Sequence, residues 1–254
     1  MTWLAWHGLM SVAACLALLG QAHAAGCLFA AQGEGRVAAV IDARSFRLDD
    51  GREIRLAGIE PANPDKAKGT AALTAVIGGR DVTLHGDDDT PDRYGRQTAF
   101  VFLAETPVQS ELLRRGEALF TADVADQDCA KTLAAAEAAA VQAKIGIWSV
   151  STVIKNAESP GDILAGIGRF TVVEGRVLSV RQAGAVTYLN FGRNWTQDFA
   201  ATISRRMIPA FEAAGLSPKS LENRRIRVRG YVEARGGPRI EVLRVGQIEL
   251  LGGN

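Results

Sequence analysis

The sequence predicts an α+β protein that is mainly β: a five-stranded barrel carrying helices, followed by a second small β-barrel. Three observations lead there. Short runs alternate apolar and polar residues with a period of two, as half-buried strands do. Helix-like segments lie between and after the first set of strands, the order of an α+β domain. The charge also changes sign along the chain of 254 residues: overall it is +1, but residues 1–164 sum to −6 and residues 165–254 to +7. That asymmetry points to two modules, the second suited to a polyanion, or to two halves that attract each other.

The first module is organised around residues 40–64, VIDARSFRLDDGREIRLAGIEPANP. Phe46 and Leu48 alternate with Arg47 and Asp49, and Ile54 and Leu56 alternate with Arg55. Asp50-Gly51 between the arms supplies the positive φ of a tight hairpin turn. A strand region is therefore expected over 36–48 and another over 53–59. Residues 65–77 read as a helix, with Ala67, Ala71 or Leu73, and Ile77 near one face and Gly78-Gly79 as its stop. DVTLH (81–85) is a short strand, 86–95 a polar loop and 98–103 an apolar strand. Pro107 opens a helix in which Glu111 and Arg115 are spaced for an ion pair, ending at Gly116. Residues 128–144 form an Ala-rich helix closed by Gly146, with Trp148 packing it down.

Residues 1–24 read as an export signal, with an apolar core at 9–19 and the small-x-small site Ala22-His23-Ala24. Export to the periplasm or outside the cell is favoured over a lipid anchor at Cys27, because the lipoprotein box would open with Ala24 rather than Leu. No other stretch is apolar for long enough to span a bilayer. Removal of the signal leaves Cys27 and Cys129, candidate disulfide partners in an oxidising compartment. The domains are expected at 25–149 and 167–254, with 150–166 as a linker.

Four blocks in the first module, the second opening with the D-G turn, occur in the order of a known family. They are VIDARSFRL (40–48), DGREIRLAGIEPAN (50–63), DRYGR (92–96), and the helix closing on KIGIW (144–148). Over 36–148 the chain resembles the staphylococcal nucleases, or thermonucleases, whose pattern runs V-x-D-G-D-T-F-x-L, D-G-x-x-x-R-L-x-G-I-D-x-P-E, D-R-Y-G-R and K-L-G-I-W. The resemblance implies an OB-fold-type barrel and calcium-assisted hydrolysis of phosphodiesters. In that chemistry carboxylates hold Ca²⁺, a Glu activates water and two arginines clamp the phosphate.

Carried over position by position, the resemblance places the phosphate clamp on Arg55 and Arg96. The acids differ. A metal-ligand Asp of the family falls on Arg44, the second carboxylate ligand is Glu60, and the catalytic Glu falls on Asn63, whose amide cannot take up a proton. Pro61-Ala62 inverts the usual order of a small residue before Pro. Arg44 is expected to stand where the metal would, pairing with Glu60 or Asp42, so that no cofactor is expected unless a rearranged active site uses Ca²⁺. Arg55 and Arg96 either clamp phosphate or simply pair with Glu60 and the 87–92 loop. Asp87-Asp88-Asp89 reads as a solvated run rather than a replacement metal site. His85, the one histidine outside the signal, reads as structural.

Residues 169–180, 186–191, 199–203, 225–233, 239–243 and 247–251 are strand candidates around one helix at 207–215. Their number and spacing resemble a second OB-like barrel. Arg225, Arg227 and Arg229 alternate with Ile226 and Val228, so three guanidinium groups share one strand face. With Tyr188, Phe191, Trp195 and Tyr231 as stacking surfaces, this face is a candidate site for nucleic acid, or else an ordinary exposed face over core aromatics. The expected function is a nuclease-fold protein with a degenerate site that binds nucleic acid, another polyanion or a protein partner of the cell envelope. An active phosphodiesterase with a rebuilt site and an envelope assembly factor are the alternatives.

Overall fold

The computed structural model describes residues 27, 29–62 and 65–252; the expected signal at 1–24 and Asn63 lie outside the described residues. Its first half is a barrel. β1 (Ala30–Asp42), β2 (Ser45–Leu48) and β3 (Glu53–Leu56) form an antiparallel meander. β4 (Ile59–Pro61) and α1 (Lys66–Ile77) follow, then β5 (Asp81–Gly86), β6 (Arg96–Leu103) and β7 (Thr106–Pro107). β1 pairs β5 along its first half and β2 along its second, and β3 closes on β6 in parallel. Five strands thus make a closed ring, β1-β2-β3-β6-β5. The sequence anticipated one strand over 36–48; there are two, because the chain reverses at Ala43-Arg44, where Asp42 accepts the Arg44 N–H at 2.8 Å.

Phe46, Leu48, Ile54 and Leu56 point into the ring and are buried, as their alternation requires. α1 begins at Asp65, whose carboxylate accepts the Ala67 N–H at 3.0 Å, and lies against the β1–β2 turn. A Cβ on Gly69 would come within 2.5 Å of the Ala43 Cβ, so the closeness of this packing depends on glycine. α2 (Val108–Arg114), β8 (Ala118–Phe120) and α3 (Gln127–Ala143) complete the domain. β8 pairs β4 as a separate two-stranded ribbon. Lys144, in the left-handed region, ends α3, whereas Gly146 is needed for a close approach to the Arg115 carbonyl. Cys27 and Cys129 are joined in a disulfide that ties the start of the domain to α3.

The segment 150–166, expected as a linker, contributes one short strand to the second sheet and one short helix. β9 (Ile154–Asn156) pairs in parallel with β10 (Phe170–Arg176), and α4 (Pro160–Leu164) bridges them. β11 (Ser179–Ala183), β12 (Val186–Asn190) and β13 (Ala200–Ser204) form a meander. After α5 (Ile208–Ala213), β14 (Arg225–Ala234) pairs β10, β15 (Pro238–Val242) pairs both β14 and β13, and β16 (Ile248–Leu250) pairs β14. The pairing order β11-β12-β13-β15-β14-β10 begins and ends on one run of chain, 170–183. It repeats the first domain in having a meander, a parallel pairing of its third strand and a helix before the fourth.

Each half has its own apolar core. A third, smaller cluster joins them: Ala62 and Leu119 from the first domain pack on Val172 of the second, flanked by Ile147, Trp148, Ile154 and Phe170. Among the described residues no helix is long and apolar enough to cross a membrane.

Candidate functional site

Of the residues matched to the nuclease motif, Arg44 and Glu60 meet where the β1–β2 turn faces β4. Arg44 lies in that turn, anchored by its own backbone: its N–H donates to Asp42, and its carbonyl accepts the Leu56 N–H at 2.8 Å. Its guanidinium therefore reaches β4, donating to the Ile59 carbonyl at 2.9 Å and ion-pairing with the Glu60 carboxylate. Both side chains are largely buried, 12% and 13% exposed. The expected pairing of Arg44 is thus with Glu60, while Asp42 takes its backbone N–H.

The same Glu60 oxygen accepts a second hydrogen bond, from the Tyr231 hydroxyl of β14. The second domain therefore reaches over the motif of the first. Burial pushes the Glu60 carboxyl above the usual carboxylate range, although Arg44 and the Tyr231 hydroxyl pull it down. Burial, aided by the bond to Glu60, pushes the Tyr231 hydroxyl up to about 12. Tyr231, expected as a stacking surface, is a donor to the carboxylate.

Arg55 and Arg96 lie on neighbouring parallel strands. Register partners Arg55↔Thr98 and Glu53↔Arg96 put them on one face of the sheet, two positions apart. Arg96 donates through Nε and Nη2 to Asp92 at 3.0 and 2.8 Å, and these bonds bring the Asp92 carboxyl down to about 2. Of the pairings expected if the clamp is only structural, the one with the polar loop is present, whereas Glu60 is taken by Arg44. Asp88 caps its own turn by accepting the Thr90 N–H at 2.8 Å. His85 Nδ1 lies 3.2 Å from the Phe29 carbonyl, which can only accept from it, and the ring packs edge-on against Phe102. Among the described residues no cluster of three or more His, Cys, Asp or Glu side chains could hold a metal ion.

The arginine row of β14 does not form an open basic face. Arg229 is buried, and its guanidinium bridges to the first domain, donating to the Phe120 carbonyl at 2.8 Å and to Glu137 of α3 at 2.7 Å. The other oxygen of Glu137 accepts the Phe120 N–H at 2.8 Å, so one ion pair satisfies both backbone groups of Phe120. Arg227 pairs with Glu174 at 2.6 Å and Glu249 at 3.0 Å. Arg225 lies 3.6 Å from Glu174. The three cations meet carboxylates on β10, α3 and β16, because the strand face they share is turned towards neighbouring strands and the other domain. Phe191 is likewise core, tilted against Phe199.

Trp195 and Tyr188 lie elsewhere, on a cleft of about 770 Å³ formed by β11, β12 and the loops at 192–198 and 235–238. Arg181, Arg193, Arg235 and Arg239 also line it; none of them stood out in the sequence, since they are scattered over four segments. Glu137 was missed as well, although a signal existed: it is a lone acid four residues after Leu133 on a helix face otherwise made of Cys129, Leu133, Ala136 and Ala140.

Comparison with known families places one part of this arrangement. Residues 54–150 match the model for staphylococcal nuclease homologues. The nuclease-like domain is thus recognised from β3 to the turn after α3. The match leaves out β1, β2 and Arg44, yet those strands complete the ring that β3, β5 and β6 begin. It also leaves out the whole of the second sheet. No curated protein matches the chain.

Proposed function

We propose that this is an exported nuclease-fold protein that binds a polyanion without hydrolysing it. The observation that carries the reading is the Arg44 guanidinium, held on the Ile59 carbonyl and the Glu60 carboxylate with Tyr231 closing over the same carboxylate. In the motif this is where carboxylate and carbonyl oxygens would hold Ca²⁺. The residues present do not fit that ion: the oxygens already face a cation from the chain itself. A guanidinium about 4 Å from a divalent ion would repel it by about 8 kcal/mol at an effective dielectric near 20. Asn63, at the place of the family's general base, has an amide that cannot take up a proton near neutral pH.

Arg55 and Arg96 lie two positions apart on one sheet face, which supports recognition of phosphate without the step of attack. The apolar stretch at 9–19 with Ala22-His23-Ala24 supports export, and the Cys27–Cys129 disulfide suits an oxidising compartment.

The test is to incubate the purified protein with single- and double-stranded DNA in Ca²⁺ and then in EDTA. Binding without cleavage is expected in both. Cleavage that requires Ca²⁺ and disappears in Arg55→Ala would overturn the proposal in favour of an active phosphodiesterase. Neither binding nor cleavage would leave a protein partner in the envelope as the better reading.

A further inference from the structure

The cleft on the second domain is built by small residues between large ones. On the outer face of β11, β12, β13 and β15, one cross-strand row reads Ser179, Asn190, Ala200, Arg239. The next row begins Arg181, Tyr188, Thr202. Ser179 and Ala200 leave a depression, which Arg181 and Tyr188 border on one side. The loops at 192–198 and 235–238 border the other.

Both loops are held in place. Asp198 accepts the Asn194 N–H at 2.7 Å, and Asn194 in turn accepts the Thr196 hydroxyl at 2.7 Å. This braces the tip that carries Trp195, which is 76% exposed. Gly236 and Gly237 take positive φ to bring the other loop against it. A Cβ on Gly237 would lie 2.8 Å from the Asp198 carbonyl.

The charges of the cleft are not balanced from within. Four arginines face one acid, Asp198, which is engaged in its own loop. Arg235 and Arg239 share Glu233 at 3.5 and 3.8 Å. Arg181 and Arg193 have no ion-pair partner among the described residues. Arg239 Nε is buried without an acceptor among the described residues. This contrasts with β14, where Arg227 and Arg229 are each matched by carboxylates.

We infer that this cleft binds single-stranded nucleic acid, with bases stacking on Trp195 and Tyr188 and phosphates meeting Arg181, Arg193 and Arg235. An exposed indole and a half-buried phenol interleaved with guanidinium groups suit an anion that carries flat π-surfaces, and stacking of this kind tolerates any base. A duplex hides its base faces, and an anionic polysaccharide has none. The inference rests on the polyanion-binding reading above and assigns the binding to this cleft rather than to the arginine row of β14.

Fluorescence anisotropy with labelled oligo-dT, its duplex with oligo-dA, and heparin as competitor tests this on the full chain. The single strand is expected to bind more tightly than the duplex. Trp195→Ala should weaken binding of the single strand by roughly tenfold. Arg181→Ala with Arg193→Ala should also lower the slope of log affinity against log salt by about 0.7 for each phosphate no longer neutralised. Arg225→Ala, on β14, should change neither. Oligo-dT binding that is indifferent to Trp195→Ala and lost in Arg225→Ala would overturn the inference. Binding of heparin but not of oligo-dT would also overturn it, while leaving the polyanion reading intact. Binding of neither would remove both.

Discussion

Arg229 of β14 and Glu137 of α3 meet at 2.7 Å across the boundary between the two domains, each side chain only 6% exposed. Two charges removed from water this completely require each other. The same Arg229 nitrogen, Nη1, also donates to the Phe120 carbonyl, and the other Glu137 oxygen accepts the Phe120 N–H. The second domain is therefore joined to the nuclease-like domain by a satisfied polar contact as well as by the apolar cluster beside it.

Arg229→Ala or Glu137→Ala should each destabilise the protein by about 3–5 kcal/mol, because each leaves a buried charge unpaired. Arg229→Met combined with Glu137→Leu should cost less than either single change. Chemical denaturation of Arg229→Ala, Glu137→Ala and the double Arg229→Ala/Glu137→Ala variant closes a double-mutant cycle that measures the coupling, with the Met/Leu pair measured beside it. Additive losses would refute the pairing.

Tyr231 and Glu60 make the second contact, and it depends on pH. The folded chain holds the Tyr231 proton up to about 12, above its ordinary 10.0. A raised pKa contributes stability fully below about pH 10, and that contribution is lost as pH rises towards about 12. An ultraviolet titration should show a tyrosine ionising near pH 12, and Tyr231→Phe should remove that step. Asp92 acts in the opposite direction. Its carboxyl is lowered from 3.8 to about 2, so its contribution is present above pH 3.8 and fades as pH falls through about 2. Asp92→Asn should flatten this acid limb.

The disulfide closes a long loop, with a sequence separation of 102. On the chain-entropy view, such a crosslink stabilises by about 4–5 kcal/mol. Cys27→Ser with Cys129→Ser should lower the denaturation midpoint accordingly, and treatment with reductant should match the double variant. An unchanged midpoint in both would show that the crosslink contributes nothing.

Gly69→Ala sets two effects against each other. Alanine favours the helix by about 1 kcal/mol over glycine. The added Cβ meets Ala43 at 2.5 Å, and overpacking costs about 1–3 kcal/mol. The clash should win, because Ala43 sits in the turn that fixes Arg44 and has no rotatable side chain to move aside. A lower melting temperature by circular dichroism is expected; a higher one would mean that α1 shifts freely.

The strands of the first domain were readable from local alternation, because a buried face imposes its period on the residues themselves: Phe46, Leu48, Ile54 and Leu56 all point inward as expected. The hairpin at Asp50-Gly51 was readable because its turn demands a particular backbone, and Gly51 has φ 90°. The split at Ala43-Arg44 was less visible, since that turn is made by a side-chain bond from Asp42 and carries no glycine. The ribbon of β4 and β8 escaped notice for a different reason. Its strands are three residues long, too short to display a period.

The sequence by itself determined the barrel strands, the helices, the cysteines available for pairing and the exchange of the motif's acid for Arg44. Periodicity, turn chemistry and residue identity are local properties, and each acts over a few positions. Tertiary structure alone decided which charges are satisfied. Arg225, Arg227 and Arg229 look like a free basic row until Glu174, Glu249 and Glu137 are brought to them from distant segments. Arg181, Arg193 and Arg235 look unremarkable until the loops gather them beside Trp195. The strength of a charge depends on its surroundings, and those surroundings are assembled from parts of the chain far apart in sequence.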